Sequence, residues 1–119
     1  MNTNKNKRYE NDSFGKIAVP KDCFWGAQTQ RSLNNFNIGN EIFSKAFIKA
    51  FAMQKKACAL ANKDLKVLDS KVVNLIIKAI DQILKGNLDN QFPLKIWQTG
   101  SGTQTNMNLN EVISNYANK

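Results

Sequence analysis

The chain contains no histidine and only two arginines, Arg8 and Arg31, among its 119 residues. Histidine is the side chain whose ordinary pKa lies near neutrality, so its absence removes the commonest general base and the commonest metal ligand. Cysteine is scarce too. Cys23 and Cys58 stand far apart, and without a histidine to complete a ligand set they read as two reduced thiols, not as a disulfide or a zinc site. No metal is expected. No apolar run approaches the roughly 18 residues of a membrane span, so no membrane partner is expected either. Residues Met1 to Glu10 are polar and rich in Asn and Lys. They lack the apolar core of a secretory signal and the arginines of a transit peptide. The expectation is a disordered polar tail over residues 1–11, with the domain over residues 12–119, in a cytoplasmic protein.

Arginine scarcity also shapes the reading of charge. Lys and Arg number 17 against 9 acidic residues, a net charge of +8. That excess invites a nucleic-acid partner, but the lysines are spread singly along the chain and do not form a stripe. Arginine, the usual reader of bases and phosphates, is nearly missing. The reading is therefore no nucleic-acid partner. High Lys and Asn usage with little Arg instead suggests a compositional bias of the source genome, which unrelated proteins of the same organism would share.

What the chain does have is helical periodicity. Ser44 is placed to cap a helix in which Phe47, Ala50, Phe51, Gln54, Ala57, Cys58 and Ala61 repeat at helical spacing. Ile48, Ala52 and Ala59 fall off that stripe, so apolar neighbours are expected on more than one side. Asp69 caps a second helix whose apolar face is Val72, Val73, Ile76, Ile77, Ile80, Ile83 and Leu84, and Gly86 stops it. A shorter helix is expected after Trp25-Gly26 and ending near Asn37 to Gly39. Its polar patch of Gln28, Thr29, Gln30 and Arg31 reads as a solvated face, with a supporting or subunit-contact role as the other reading. Asp12 to Pro20 reads as an extended lead-in, Asn87 to Pro93 as a turn, and Leu94 to Trp97 as a short extended piece. A last helix is expected from about Thr105 or Asn106, with Val112, Ile113, Tyr116 and Ala117 as its apolar side. The fold class is mainly α.

That helix pattern is still running at Lys119, which reads as a fragment; three helices with wide apolar faces make only a small core.

The stretch carrying chemistry is Trp97 to Val112, WQTGSGTQTNMNLNEV. Glycines alternate with hydroxyls through Gly100-Ser101-Gly102-Thr103 just ahead of a helix. Glycine lets backbone N–H groups approach a ligand, and a helix N-terminus adds partial positive charge. Such a loop can hold a carboxylate or phosphate. It can equally be a glycine turn with Thr105 as the helix cap. It is not a P-loop, because Gln104 follows Thr103 where Gly-Lys-Ser/Thr would be needed, and it lacks the three spaced glycines of a dinucleotide fingerprint. Thr103, Asn106 and Asn110 share a helical face, and Thr99 and Gln104 flank the hydroxyls. These four neighbours of Ser101, Gly102 and Thr103, namely Thr99, Gln104, Asn106 and Asn110, are candidates for supporting contacts.

WQTGSGTQTNMNLNEV closely resembles the first conserved region of class II fumarases, within the fumarase/aspartase superfamily. DSFGKIAVP, FWGAQTQRSLNNFNIG, a helix containing KKACALAN, and FPLKIWQTGSGTQTNMNLNEV occur here in that family's order and spacing. Aspartases tend to carry Tyr-Gln-Gly-Gly-Ala-Gly-Thr-Ser where this chain has Trp97 to Gln104, which favours the fumarase side. The resemblance implies the N-terminal helical domain of the superfamily and fumarate hydratase activity, the interconversion of fumarate and (S)-malate in the tricarboxylic acid cycle. It implies that Ser101, Gly102 and Thr103 contact the dicarboxylate, with no cofactor and no metal. It further implies a homotetramer whose sites draw on three subunits. The catalytic histidine and a Gly-Ser-Ser loop lie in later regions, so no residue here takes an acid or base role and this stretch alone is expected to be inactive. An aspartase-like or other superfamily lyase, and a non-catalytic anion-binding or assembly module, are the alternatives. A downstream histidine region and Gly-Ser-Ser loop would separate the enzyme from the module.

Overall fold

The computed structural model describes residues 6–119. It opens with an antiparallel hairpin, β1 (Lys7–Asp12) against β2 (Gly15–Pro20), in a register that pairs Arg8 with Val19, Glu10 with Ile17 and Asp12 with Gly15. Asp12 Oδ1 accepts the Phe14 N–H at 2.9 Å across the turn, and Gly15 takes a φ of 99°, a left-handed value that favours glycine. The polar tail expected over residues 1–11 is corrected here. Residues 1–5 lie outside the described residues, and from Lys7 the chain is a strand.

The strand escapes a hydrophobicity pattern because its inward positions are charged. Arg8, Glu10 and Asp12 alternate with exposed Lys7, Tyr9 and Asn11. The Arg8 guanidinium donates to the carbonyls of Pro20 (2.7 Å), Cys23 (2.6 Å) and Trp25 (2.6 Å) and to Glu10 (2.9 Å). An arginine carries five donors in a fixed fork, so it can organise the carbonyls of a chain segment that has no ladder of its own.

Four helices follow: α1 (Ala27–Asn35), α2 (Lys45–Asp64), α3 (Ser70–Lys85) and α4 (Thr103–Ala117). A single 3₁₀ turn at Asp89–Gln91 lies in the expected turn region. The chain is mainly α. Ser44 caps α2, accepting the Phe47 N–H at 3.2 Å, and Asp69 caps α3 through Lys71 N–H at 2.7 Å. Gly86 ends α3 with a φ of 87°, as a left-handed C-terminal glycine should.

α3 buries the centre of the expected face, while Val72 on that face is exposed and Ile76, Ile77 and Leu84 are partly covered. Val73, Ile80 and Ile83 are sealed, and full burial of one such side chain contributes about 1.5–3 kcal/mol. α2 does not bury the stripe expected of it. Ile48, Ala52 and Ala59 face the core against α3, while Phe47, Ala50, Gln54, Ala57, Cys58 and Ala61 are exposed. Both sides of α2 are apolar enough to satisfy a helical period. The alanines at 52 and 59 decide the matter, because small side chains let two helix axes approach closely. Phe43, Phe47 and Phe51 instead form a row along the flank, with ring centroids 4.8 and 6.2 Å apart.

α4 packs against α3 on one side and α1 on the other, and buries Leu109, Val112 and Ile113 into a core shared with Val19, Trp25 and Phe92. Among the described residues no helix is long and apolar enough to cross a membrane, and no group of acidic, Cys or His side chains could hold a metal ion.

Candidate functional site

The loop before α4 is fixed at its base. Ile42 and Lys95 form an isolated bridge, and Ile96 N–H donates to Glu41 O at 3.0 Å. Trp97 Nε1 then donates to Glu41 Oε2 at 3.1 Å. The Glu41 carboxyl is held below its ordinary range, first by its own backbone N–H and next by Trp97. Gln98 closes the base from the other side, donating to Lys95 O at 2.8 Å and accepting from Thr105 Oγ1 at 3.4 Å.

Beyond Gln98 the chain is exposed. Gly100 and Gly102 have φ values of 76° and 77°, with nothing within 4 Å of an added Cβ. Their requirement for glycine is therefore conformational, not spatial. These two left-handed residues aim three hydroxyls to one place. Thr99 Oγ1 lies 3.2 Å from Ser101 Oγ, which lies 3.2 Å from Thr103 Oγ1. No side chain caps α4; only a long contact of 3.4 Å joins Thr103 N–H to Ser101 Oγ. Rotatable hydroxyls beside an uncapped helix N-terminus form a neutral cradle for an oxyanion.

α4 thus begins at Thr103, two residues before the expected start, and Thr105 is not its cap. Gly102 turns the backbone directly into the helix, and Thr105 is buried inside the first turn. Thr99, Ser101, Gly102 and Thr103 are brought together. Gln104 turns the other way and accepts the hydroxyl hydrogen of Ser32 on α1. Asn106 Oδ1 accepts from Lys55 Nζ of α2 at 2.6 Å. Asn110 lies farther along, exposed in a groove of about 640 Å³ between α2, α3 and α4 that Lys55 and Asn106 also line. Ser101, Gly102 and Thr103 do not line that groove.

Three neighbours escaped sequence reasoning: Ser32, Lys55 and Glu111. Glu111 on α4 accepts the backbone N–H groups of Gly26 (2.8 Å), Gln28 (2.8 Å) and Thr29 (3.1 Å), and the Thr29 hydroxyl (2.5 Å). It caps α1 from another helix, since Gly26 offers no side chain. The signal was present, because a helix start without Ser, Thr, Asp or Asn needs an acceptor from elsewhere. The polar patch on α1 is likewise engaged. Gln28 and Arg31 bond Asp12, and Gln30 bonds Trp25.

A family model described as Lyase matches residues 15–119, nearly the whole chain. The chain belongs to this lyase family. Among its relatives, the class II fumarate hydratase of Thermosynechococcus vestitus is 58% identical over 110 residues, 92% of this chain and 24% of the relative. That of Rickettsia prowazekii is 53% identical over 97% of this chain and 25% of its own length. Among solved structures, the class II fumarase of Schistosoma mansoni superposes with a TM-score of 0.91 at 47% identity. That match covers 93% of this chain and 24% of the fumarase. A fumarate lyase:delta crystallin from Brucella melitensis gives 0.89 at 41% identity, over 93% and 26%. This lyase chain therefore spans about a quarter of the length of the relatives it matches, and its hydroxyl loop lies within the matched residues.

Proposed function

We propose that the chain is the substrate-holding part of a class II fumarate hydratase, which adds water reversibly to fumarate to give (S)-malate. The enzyme serves the tricarboxylic acid cycle as a cytoplasmic homotetramer. Ser101, Gly102 and Thr103 bind one carboxylate of the substrate, with Thr99 beside them. Gln104 and Asn106 support the segment by tying the start of α4 to Ser32 and Lys55, and Asn110 lies farther along the same helix. Removing a proton beside a carboxylate builds a doubly charged aci-carboxylate, and aimed neutral donors stabilise that charge as it develops. On this reading the proton-transferring groups belong to parts of the enzyme outside this chain, which holds no histidine for the role.

One observation carries this reading: the row of Thr99, Ser101 and Thr103 hydroxyls, interleaved with two left-handed glycines, at the uncapped start of α4. The test is a chimera in which this chain replaces the matching quarter of the Thermosynechococcus vestitus enzyme. It should consume fumarate, followed by loss of ultraviolet absorbance, while the 119-residue chain alone should leave the absorbance at background. A chimera that assembles and melts like its parent yet turns over no fumarate overturns the reading. Turnover by the chain alone overturns the placement of the chemistry elsewhere.

A further inference from the structure

Lys55 is a half-buried cation without an acidic partner. Four ion pairs occur among the described residues, and none includes it. Its ammonium donates to the neutral Asn106 Oδ1 at 2.6 Å and lies 5.0 Å from the centroid of the Phe51 ring. The nearest acid on α4, Glu111, is committed to the start of α1. Neighbouring Lys56 has Asp81 at 2.7 Å, so these two adjacent lysines of α2 are treated differently.

The location is informative. Asn106 sits three residues past Thr103, and side chains on a helix lean towards its N-terminus, over the preceding turn. The ammonium that Asn106 holds therefore lies within about 10 Å of the Ser101–Thr103 hydroxyls, given the ~1.5 Å rise per residue. We infer that Lys55 is a positioning residue for the dicarboxylate: its fixed positive charge, set behind neutral donors and held by Asn106, draws the substrate to the start of α4. This rests on the hydratase reading. Setting the charge back lets hydroxyls make the close contacts while the cation acts through the field, adding to the partial charge of the helix end. Burial pushes the Lys55 pKa below the ordinary lysine range, because desolvation disfavours the charged form.

A unit charge about 10 Å from a dianion changes affinity by about tenfold where the effective dielectric is about 50, between that of a protein surface and that of bulk water. In the chimera, Lys55→Met and Lys55→Gln should each raise the KM for fumarate about tenfold at low salt, with a smaller fall in kcat. Lys55→Arg should restore it, and the difference should shrink in concentrated salt, where the Debye length falls to about 3 Å. A KM that does not move, or a loss equal at low and high salt, overturns the inference and leaves Lys55 as a packing residue. A chimera that assembles and melts like its parent but is inactive would sink the hydratase reading instead. The 119-residue chain then decides by titration with succinate, observed at the Asn106 side-chain amide by nuclear magnetic resonance. Salt-sensitive shifts that vanish in Lys55→Gln support the charge role, and their absence refutes it.

Discussion

Glu111 offers the sharpest test of how this fold is held, because one carboxylate does the work of a missing cap. In Glu111→Ala, three N–H groups of the first turn of α1 lose their acceptor, and the buried Thr29 hydroxyl is left without a partner. Loss of an N-cap acceptor costs about 1 kcal/mol. Loss of a negative charge at a helix N-terminus adds about 0.5 kcal/mol. An unsatisfied buried hydroxyl adds about 1–2 kcal/mol. The sum is about 3 kcal/mol, which for a domain of this size lowers the melting temperature by about 12 °C. Glu111→Gln retains an oxygen acceptor but not the charge, and should lose about half as much. Thermal unfolding followed by circular dichroism at neutral pH measures both. If Glu111→Ala melts within about 2 °C of the parent, the remote cap is not a stabilising interaction and the reasoning fails.

Two further outcomes are expected. In the chimera, Thr103→Val should lower kcat by about 10²–10³-fold, the effect of removing one aimed donor, and an unchanged kcat would reject the role given to Thr103. Asp12 is held below the ordinary carboxylate range, first by Arg31 and further by Phe14 N–H and Gln28, with burial opposing. A carboxylate whose folded pKa is depressed contributes stability that is present above its unfolded value of about 3.9 and lost as pH falls through the folded value. Asp12→Asn should therefore flatten the melting-temperature profile below about pH 4, and an acid limb identical to the parent's would refute the assignment.

What the sequence made legible was local. α3 could be placed because its apolar period, Asp69 and Gly86 all agree, and nothing distant alters them. α2 could be placed but not oriented, since the choice between its faces rests on how closely α3 approaches Ala52 and Ala59. β1 was hidden because its inward residues are Arg8, Glu10 and Asp12, whose burial is made tolerable only by carbonyls and an arginine from later segments. At the site, the hydroxyl row was legible from its alternation with glycine. Its surroundings were not, because Lys55–Asn106, Ser32–Gln104 and Gly26–Glu111 pair residues 51, 72 and 85 positions apart. No window along the chain contains both members of such a pair.

The capping of α1 by Glu111 also has a consequence in time. Gly26 precedes its acceptor by 85 residues, and Phe24 O waits 91 residues for the amide of Asn115. At a synthesis rate of roughly 5–20 residues per second, the start of α1 is made some 4–17 s before the group that completes it. Through that interval the first helix has no acceptor for its leading N–H groups. The nascent chain therefore cannot lock the start of α1 until α4 has emerged, so residues made early wait for a group made 85 residues later to secure them.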